Sequence, residues 1–145
     1  MGLDIDQHYD KIYKYCYFRL QDRNLAEDIT QETFLRFFAS ETYRDTGQAL
    51  QYLYTVARNL CIDERRRPKS EELSNDIPFS NEENLVTNLD LKSAMKKLTE
   101  DERELIVLRY VNEVPISVMC KLYGISRFAM YRRIQAILKK LHGYM

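Results

Sequence analysis

Tyr123-Gly124-Ile125-Ser126, running directly into Arg127-Phe128-Ala129-Met130-Tyr131-Arg132-Arg133-Ile134-Gln135, decides the fold. Gly124 sits where a tight turn between two helices needs a positive φ, which glycine adopts without penalty. Ser126 is placed to cap the helix that follows, Arg127–Leu141. Upstream, Pro115–Leu122 supplies the first helix of the pair. Met119, Leu122, Ile125, Met130, Ile134, Ile137 and Leu141 can then share the inner face. That phase projects Arg127, Tyr131, Arg132 and Gln135 outward from the N-terminal half of the second helix. In a helix-turn-helix this is the part that reaches base edges in the major groove. Arg133, Lys139 and Lys140 are better placed for phosphates.

The charge distribution agrees. Lysine and arginine number 22 against 22 acids, so the whole chain is formally neutral. Yet Glu113 is the last acidic residue, and Lys121, Arg127, Arg132, Arg133, Lys139 and Lys140 follow it. Positive charge gathered on one late element is an arrangement for meeting a polyanion. The competing reading is a solvated basic face on a packing helix. The glycine turn, the cap and the one-sided charge together favour duplex DNA.

Working outward, four glycines and three prolines with helical periodicity nearly throughout argue for an all-α chain. The first helix is expected at about Asp6–Leu20, with Ile5, Tyr9, Ile12, Tyr13, Cys16 and Leu20 on its apolar face. After the polar break Asp22-Arg23-Asn24, a second helix spans about Leu25–Phe38 and carries Leu25, Ile29, Phe34, Phe37 and Phe38. A polar loop, Ser40–Gly47, leads to a third helix from about Gln48, burying Leu50, Leu53, Val56, Ala57 and Leu60. That helix, or a fourth after a break near Asn59, ends in Arg65-Arg66-Arg67 before Pro68, where basic residues suit the negative end of the helix dipole.

Residues 68–89 differ in composition. Pro68, Pro78, three serines and several asparagines accompany five acids against Lys69 alone, a balance of −4. Such a segment buries too little to order itself and reads as a flexible acidic linker. Helices are then expected near Asn88–Lys97, Thr99–Asn112, Pro115–Leu122 and Arg127–Leu141, with Thr99 and Glu102 in the spacing of a capping box. The organisation is two small helical domains, 1–67 and 90–145, joined by 68–89. The first holds ten basic and eleven acidic side chains, net −1, and the second eleven and six, net +5.

Several classes are disfavoured. No apolar run approaches the roughly 20 residues of a membrane span, and the acidic N-terminus does not read as a secretory signal. Cys16, Cys61 and Cys120 are odd in number and without metal-ligand spacing, which fits reduced thiols in a cytoplasmic protein. There is no glycine-rich phosphate loop, nucleophile elbow or paired-ligand motif. No catalytic residue, metal or cofactor is therefore assigned, and the chain is not expected to be an enzyme.

Two further constellations stand out. In Ala26-Glu27-Asp28-Ile29-Thr30-Gln31-Glu32-Thr33-Phe34-Leu35, the residues Asp28, Gln31, Glu32 and Leu35 share one outer helix face. Taken alone, a solvated face is the better reading; a protein-binding patch is the alternative. In Tyr52-Leu53-Tyr54-Thr55-Val56-Ala57-Arg58-Asn59 and on to Arg67, aromatics and arginines combine. Aromatic faces stack on unpaired bases and arginines neutralise the strand. A core helix with a charged end reads equally well.

In this order and spacing, the three constellations resemble the extracytoplasmic-function type of bacterial RNA polymerase sigma factors. The resemblance covers about Tyr9–Arg67 and Leu91–Leu141. It implies promoter-specific transcription initiation, with core RNA polymerase and promoter DNA as partners and an anti-sigma factor as a further candidate. It implies that Asp28, Gln31, Glu32 and Leu35 grip the polymerase. Tyr52, Arg58, Asn59, Arg65, Arg66 and Arg67 would capture the unpaired −10 strand, with Asn59 in a loop that receives a flipped base. Ser126, Arg127, Phe128, Tyr131, Arg132, Arg133, Gln135 and Lys139 would read the −35 element. The free protein is expected to be a cytoplasmic monomer that binds DNA weakly. Pro115, Val118, Ala129, Tyr131 and Tyr52 depart from the residues usual in that family, which implies an unusual −35 sequence. The alternative is a helix-turn-helix regulator whose N-terminal half senses a ligand or dimerises.

Overall fold

The computed structural model describes residues 5–40, 47–67 and 89–144. The expected linker, apart from its last residue, and most of the expected Ser40–Gly47 loop lie outside them. The described residues are helices and their connections, and the chain divides into two compact units, Met1–Asn75 and Asp76–Met145.

The first unit contains α1 (Ile5–Leu20), α2 (Arg23–Ala39) and α3 (Gly47–Arg66), each packed on the other two. The polar break does local work. Asp22 caps α2 by accepting the Leu25 amide at 3.0 Å. Gln21 reverses the chain after α1 with φ of 57°. α2 buries Ala26, Ile29, Phe34 and Phe37, and also Thr30 and Thr33. Those hydroxyls donate to the Ala26 and Ile29 carbonyls four residues back, both at 2.7 Å, so their burial leaves no unsatisfied donor.

Two expectations need correction here, and one open alternative is settled. Phe38 is 56% exposed, because Phe34 and Phe37 occupy the inner face and Phe38 lies at its edge against their rings. The face of α3 is turned by about one residue. Ala49, Leu53, Tyr54, Ala57 and Cys61 are buried, while Leu50, Val56 and Leu60 are half-buried. The line Ala49-Leu53-Ala57-Cys61 at four-residue steps is mostly small, which lets α1 and α2 approach closely. Of the two alternatives for the end of α3, the continuous one holds, and the helix runs through Asn59 without a break. Nothing between Gln48 and Arg67 is glycine or proline, so the backbone has no reason to leave the helix.

The second unit contains α4 (Leu89–Lys96), α5 (Glu100–Ile106, widening into a π-turn at Val107–Val111), α6 (Ile116–Tyr123) and α7 (Arg127–Tyr144). The capping box at the start of α5 is complete. The Glu102 amide donates to the Thr99 hydroxyl at 3.1 Å, and the Thr99 amide to the Glu102 carboxylate at 2.9 Å. Arg103 points back across the connection and donates to the carbonyls of Met95 and Leu98 at 3.2 and 2.8 Å, closing the end of α4. In the π-turn the Asn112 amide reaches five residues back, to the Val107 carbonyl, at 2.8 Å. Tyr110 and Val111 are left facing solvent. α4, α5 and α6 all pack on α7. Leu108, Met119 and Met130 are fully buried, and Ile134, Ile137 and Leu141 nearly so. Glu104, 2% exposed, accepts a hydrogen bond from the Tyr123 hydroxyl, tying α5 to α6.

Lys140, expected at a phosphate, instead donates to Glu102 at 2.6 Å. With the Thr99 amide, that hydrogen bond holds the Glu102 carboxyl below the usual carboxylate range. The group is therefore more acidic folded than unfolded. It stabilises the unit above the ordinary carboxylate pKa, and that contribution is lost as pH falls through the folded value. Glu102→Gln should lower the melting temperature at neutral pH and converge with the parent in acid. Equal gaps at both pH values would contradict the assignment.

Candidate nucleic-acid interface

The turn ahead of α7 has the expected backbone. Gly124 caps α6 in the left-handed region at φ 68° and ψ 35°, with its amide on the Cys120 carbonyl at 2.8 Å. A Cβ there would meet nothing within 4 Å. Gly124→Ala should therefore cost only the conformational penalty, about 1–2 kcal/mol, and Gly124→Asn less. Thermal denaturation of the two variants checks the order. Ser126 accepts the Ala129 amide at 3.1 Å and starts α7. Pro115 stands at the N-cap of α6 with no side-chain bond, and its carbonyl takes the amides of Val118 and Met119.

α7 presents the outer face expected of it. Ser126, Arg127, Phe128, Tyr131, Arg132, Arg133, Gln135 and Lys139 are all exposed, while Met130 and Ile134 point into the core. Two of the exposed side chains form a pair that spacing alone did not single out. The Arg132 guanidinium lies over the Phe128 ring at 5.1 Å from its centroid. The signal was there as an aromatic and an arginine four residues apart on a helix.

The residues expected on an unpaired strand divide into two groups. Asn59 and Arg66 are exposed on the C-terminal part of α3 and Arg67 just past its end, although Arg67 also pairs with Glu64 at 3.2 Å. The others have structural work. The Tyr52 hydroxyl donates to the Arg36 carbonyl at 3.2 Å, with its ring 6.1 Å from that of Phe37. Arg65 donates to the Arg19 carbonyl at 2.8 Å, at the end of α1. Arg58 is half-buried. Asn59 lies on a helix rather than in a loop, which corrects the loop implied by the resemblance.

On α2, Asp28, Gln31 and Leu35 are exposed and Glu32 half-exposed. Leu35, at 65%, is an apolar side chain with polar neighbours on its own face. Glu32 pairs with Arg36 at 2.8 Å. The Gln31 amide reaches Glu27 at 3.5 Å and also the Tyr9 hydroxyl, whose pKa is raised chiefly by burial and next by the Glu27 charge.

Among the described residues no group of His, Cys, Asp and Glu could hold a metal ion, and no helix is long and apolar enough to cross a membrane. Cys16 and Cys61 are buried and Cys120 half-buried.

Family comparisons match both units. The sigma-70 region 2 family model covers residues 5–71, and the sigma-70 region 4 model covers residues 88–141. The ECF RNA polymerase sigma factor BldN of Streptomyces coelicolor is 30% identical over 94% of this chain, which spans 58% of BldN. The ECF RNA polymerase sigma factor SigW of Bacillus subtilis is 28% identical over 94% of this chain and 86% of its own length. In fold, the chain is similar to the sigma factor RpoE of Bartonella quintana, solved with the anti-sigma factor NepR. The TM-score is 0.64 at 16% identity, covering 97% of this chain and 96% of that one.

Proposed function

The chain belongs to the ECF type of the sigma-70 family of RNA polymerase sigma factors, and on that premise we propose that it directs promoter-specific transcription initiation. The second unit reads the −35 element as duplex through α7. The first captures the −10 strand along the C-terminal part of α3 and binds core polymerase through Asp28, Gln31, Glu32 and Leu35. The observation that carries this reading is the outer face of α7, where arginines, an amide and two aromatics stand exposed with no acid after Glu113. The role is recognition rather than catalysis, and its place is the cytoplasm. An anti-sigma factor is a further proposed partner, as NepR is for RpoE.

Phosphate contacts supply most non-specific affinity for DNA, and a formally neutral chain has few to spare. The free protein should therefore bind promoters weakly and gain affinity inside holoenzyme. In vitro transcription with purified core polymerase over a promoter library tests the reading. Defined start sites that depend on −35 and −10 sequences are expected. Core binding without promoter-dependent transcripts would overturn the proposal. Tight operator binding by the isolated chain as a dimer would favour an autonomous regulator.

A further inference from the structure

We propose that Phe128 and Arg132 act as one reading unit that selects a thymine and a guanine on base pairs one or two steps apart in the −35 element. The inference rests on the reading of α7 as the −35 helix and adds what that helix reads.

Phe128 is 73% exposed, the most exposed of the large apolar side chains among the described residues. It stands on the first turn of α7, on the face that carries Tyr131, Arg132 and Gln135. An apolar ring on a face otherwise built for a polyanion needs an apolar partner there. The major groove of duplex DNA offers one, the C5-methyl of thymine. The commonest specific contact of an arginine in that groove is bidentate, to O6 and N7 of guanine.

The geometry then limits where the two bases lie. Thymine pairs with adenine and guanine with cytosine, so one base pair cannot present both a thymine methyl and guanine O6/N7. The guanidinium lies 5.1 Å from the ring centroid, whereas stacked pairs are about 3.4 Å apart along the helix axis. Two steps are about 6.8 Å, and the spacing falls midway between one step and two. The ring and the guanidinium therefore address pairs one or two steps apart. Stacking on the ring also fixes the guanidinium before DNA arrives, so less side-chain freedom is lost on binding.

The test uses holoenzyme assembled from the full chain and purified core polymerase, on a promoter taken from the library above. The −35 elements selected should contain a thymine one or two base pairs from a guanine, on the same or opposite strands. Replacing that thymine with deoxyuridine, which removes only the methyl, should weaken binding about four-fold, the value of one buried methyl-sized group. Phe128→Ala should lose the preference for thymine over deoxyuridine while melting as the parent does. Arg132→Ala should lose discrimination at the guanine about ten-fold or more. In the double variant the two losses should fall short of additive, because each side chain positions the other. An unchanged affinity on deoxyuridine DNA, or a uniform loss across sequences in Arg132→Ala, would overturn the pair as a reader while leaving −35-dependent transcription in place. Absence of any −35 dependence would instead remove the reading of α7 itself, and the proposal with it.

Discussion

Phe37→Ala should leave the first unit largely unfolded at growth temperature, whereas Phe38→Ala, one residue on, should leave it folded. Phe37 is 2% exposed and its ring centroid lies 6.3, 5.4 and 6.1 Å from those of Phe34, Phe38 and Tyr52. Truncating a buried phenylalanine costs about 3–5 kcal/mol, because the cavity adds to the lost transfer energy. A three-helix unit of this size has a total stability of only about 3–9 kcal/mol, so the loss is comparable to the whole. Phe38 is 56% exposed and forfeits mainly ring contacts, about 1 kcal/mol. Denaturant titration followed by far-ultraviolet circular dichroism separates the two variants. Tyrosine emission serves as a second probe, since the chain has 11 tyrosines and no tryptophan. Equal losses would mean that α2 presents a different face to α1 and α3.

The second large effect is expected on association. Gln31→Ala, Glu32→Ala and Leu35→Ala combined should weaken binding to core polymerase by about a hundred-fold or more. An exposed apolar anchor with polar neighbours is the pattern in which a few side chains carry most of an interface's energy, at about 2 kcal/mol or more each. The same triple change should barely move the melting temperature. The Glu32–Arg36 pair is about half exposed on both sides, so it is worth only about 0.3–0.5 kcal/mol. Alanine offsets part of that through its helix propensity. The Gln31 contact with Tyr9 adds one surface hydrogen bond to the loss. Competition against the parent chain for a limiting amount of core polymerase measures the effect. A triple variant that competes as well as the parent would make this face of α2 a solvated one.

How far the sequence carried depended on the range of the interaction involved. Gly124, Ser126 and the Thr99–Glu102 box were legible because a cap or a left-handed turn is made by residues within four of one another. The phase of α7 was legible because its apolar stripe is continuous and one-sided. α2 was harder to read. Thr30 and Thr33 are buried by bonding to their own helix, so the apolar stripe is interrupted without the face being polar. α3 misled by about one residue because its innermost line is small, and large flanking side chains dominate any periodicity. The partners of Lys140 and Arg65 within the fold could not be read. They lie 38 and 46 residues away, and only tertiary packing brings such groups together. The same holds for Tyr52, whose hydroxyl is held by the backbone of α2. The candidate surfaces themselves were legible as faces; which of their residues are already engaged within the fold was not.

The π-turn at Val107–Val111 bears on descent rather than on binding. A helix whose last turn closes over five residues instead of four holds one more residue in that turn than an α-helix does. Val107 and Leu108 are held in the core while Tyr110 and Val111 are exposed, so a one-residue change in chain length is taken up at the exposed pair. Removing the exposed Tyr110 should let α5 close as a plain α-helix up to Asn112. Relatives that lack the widening should align with a one-residue gap between 107 and 111, a mark of insertion or loss left in the length of the chain.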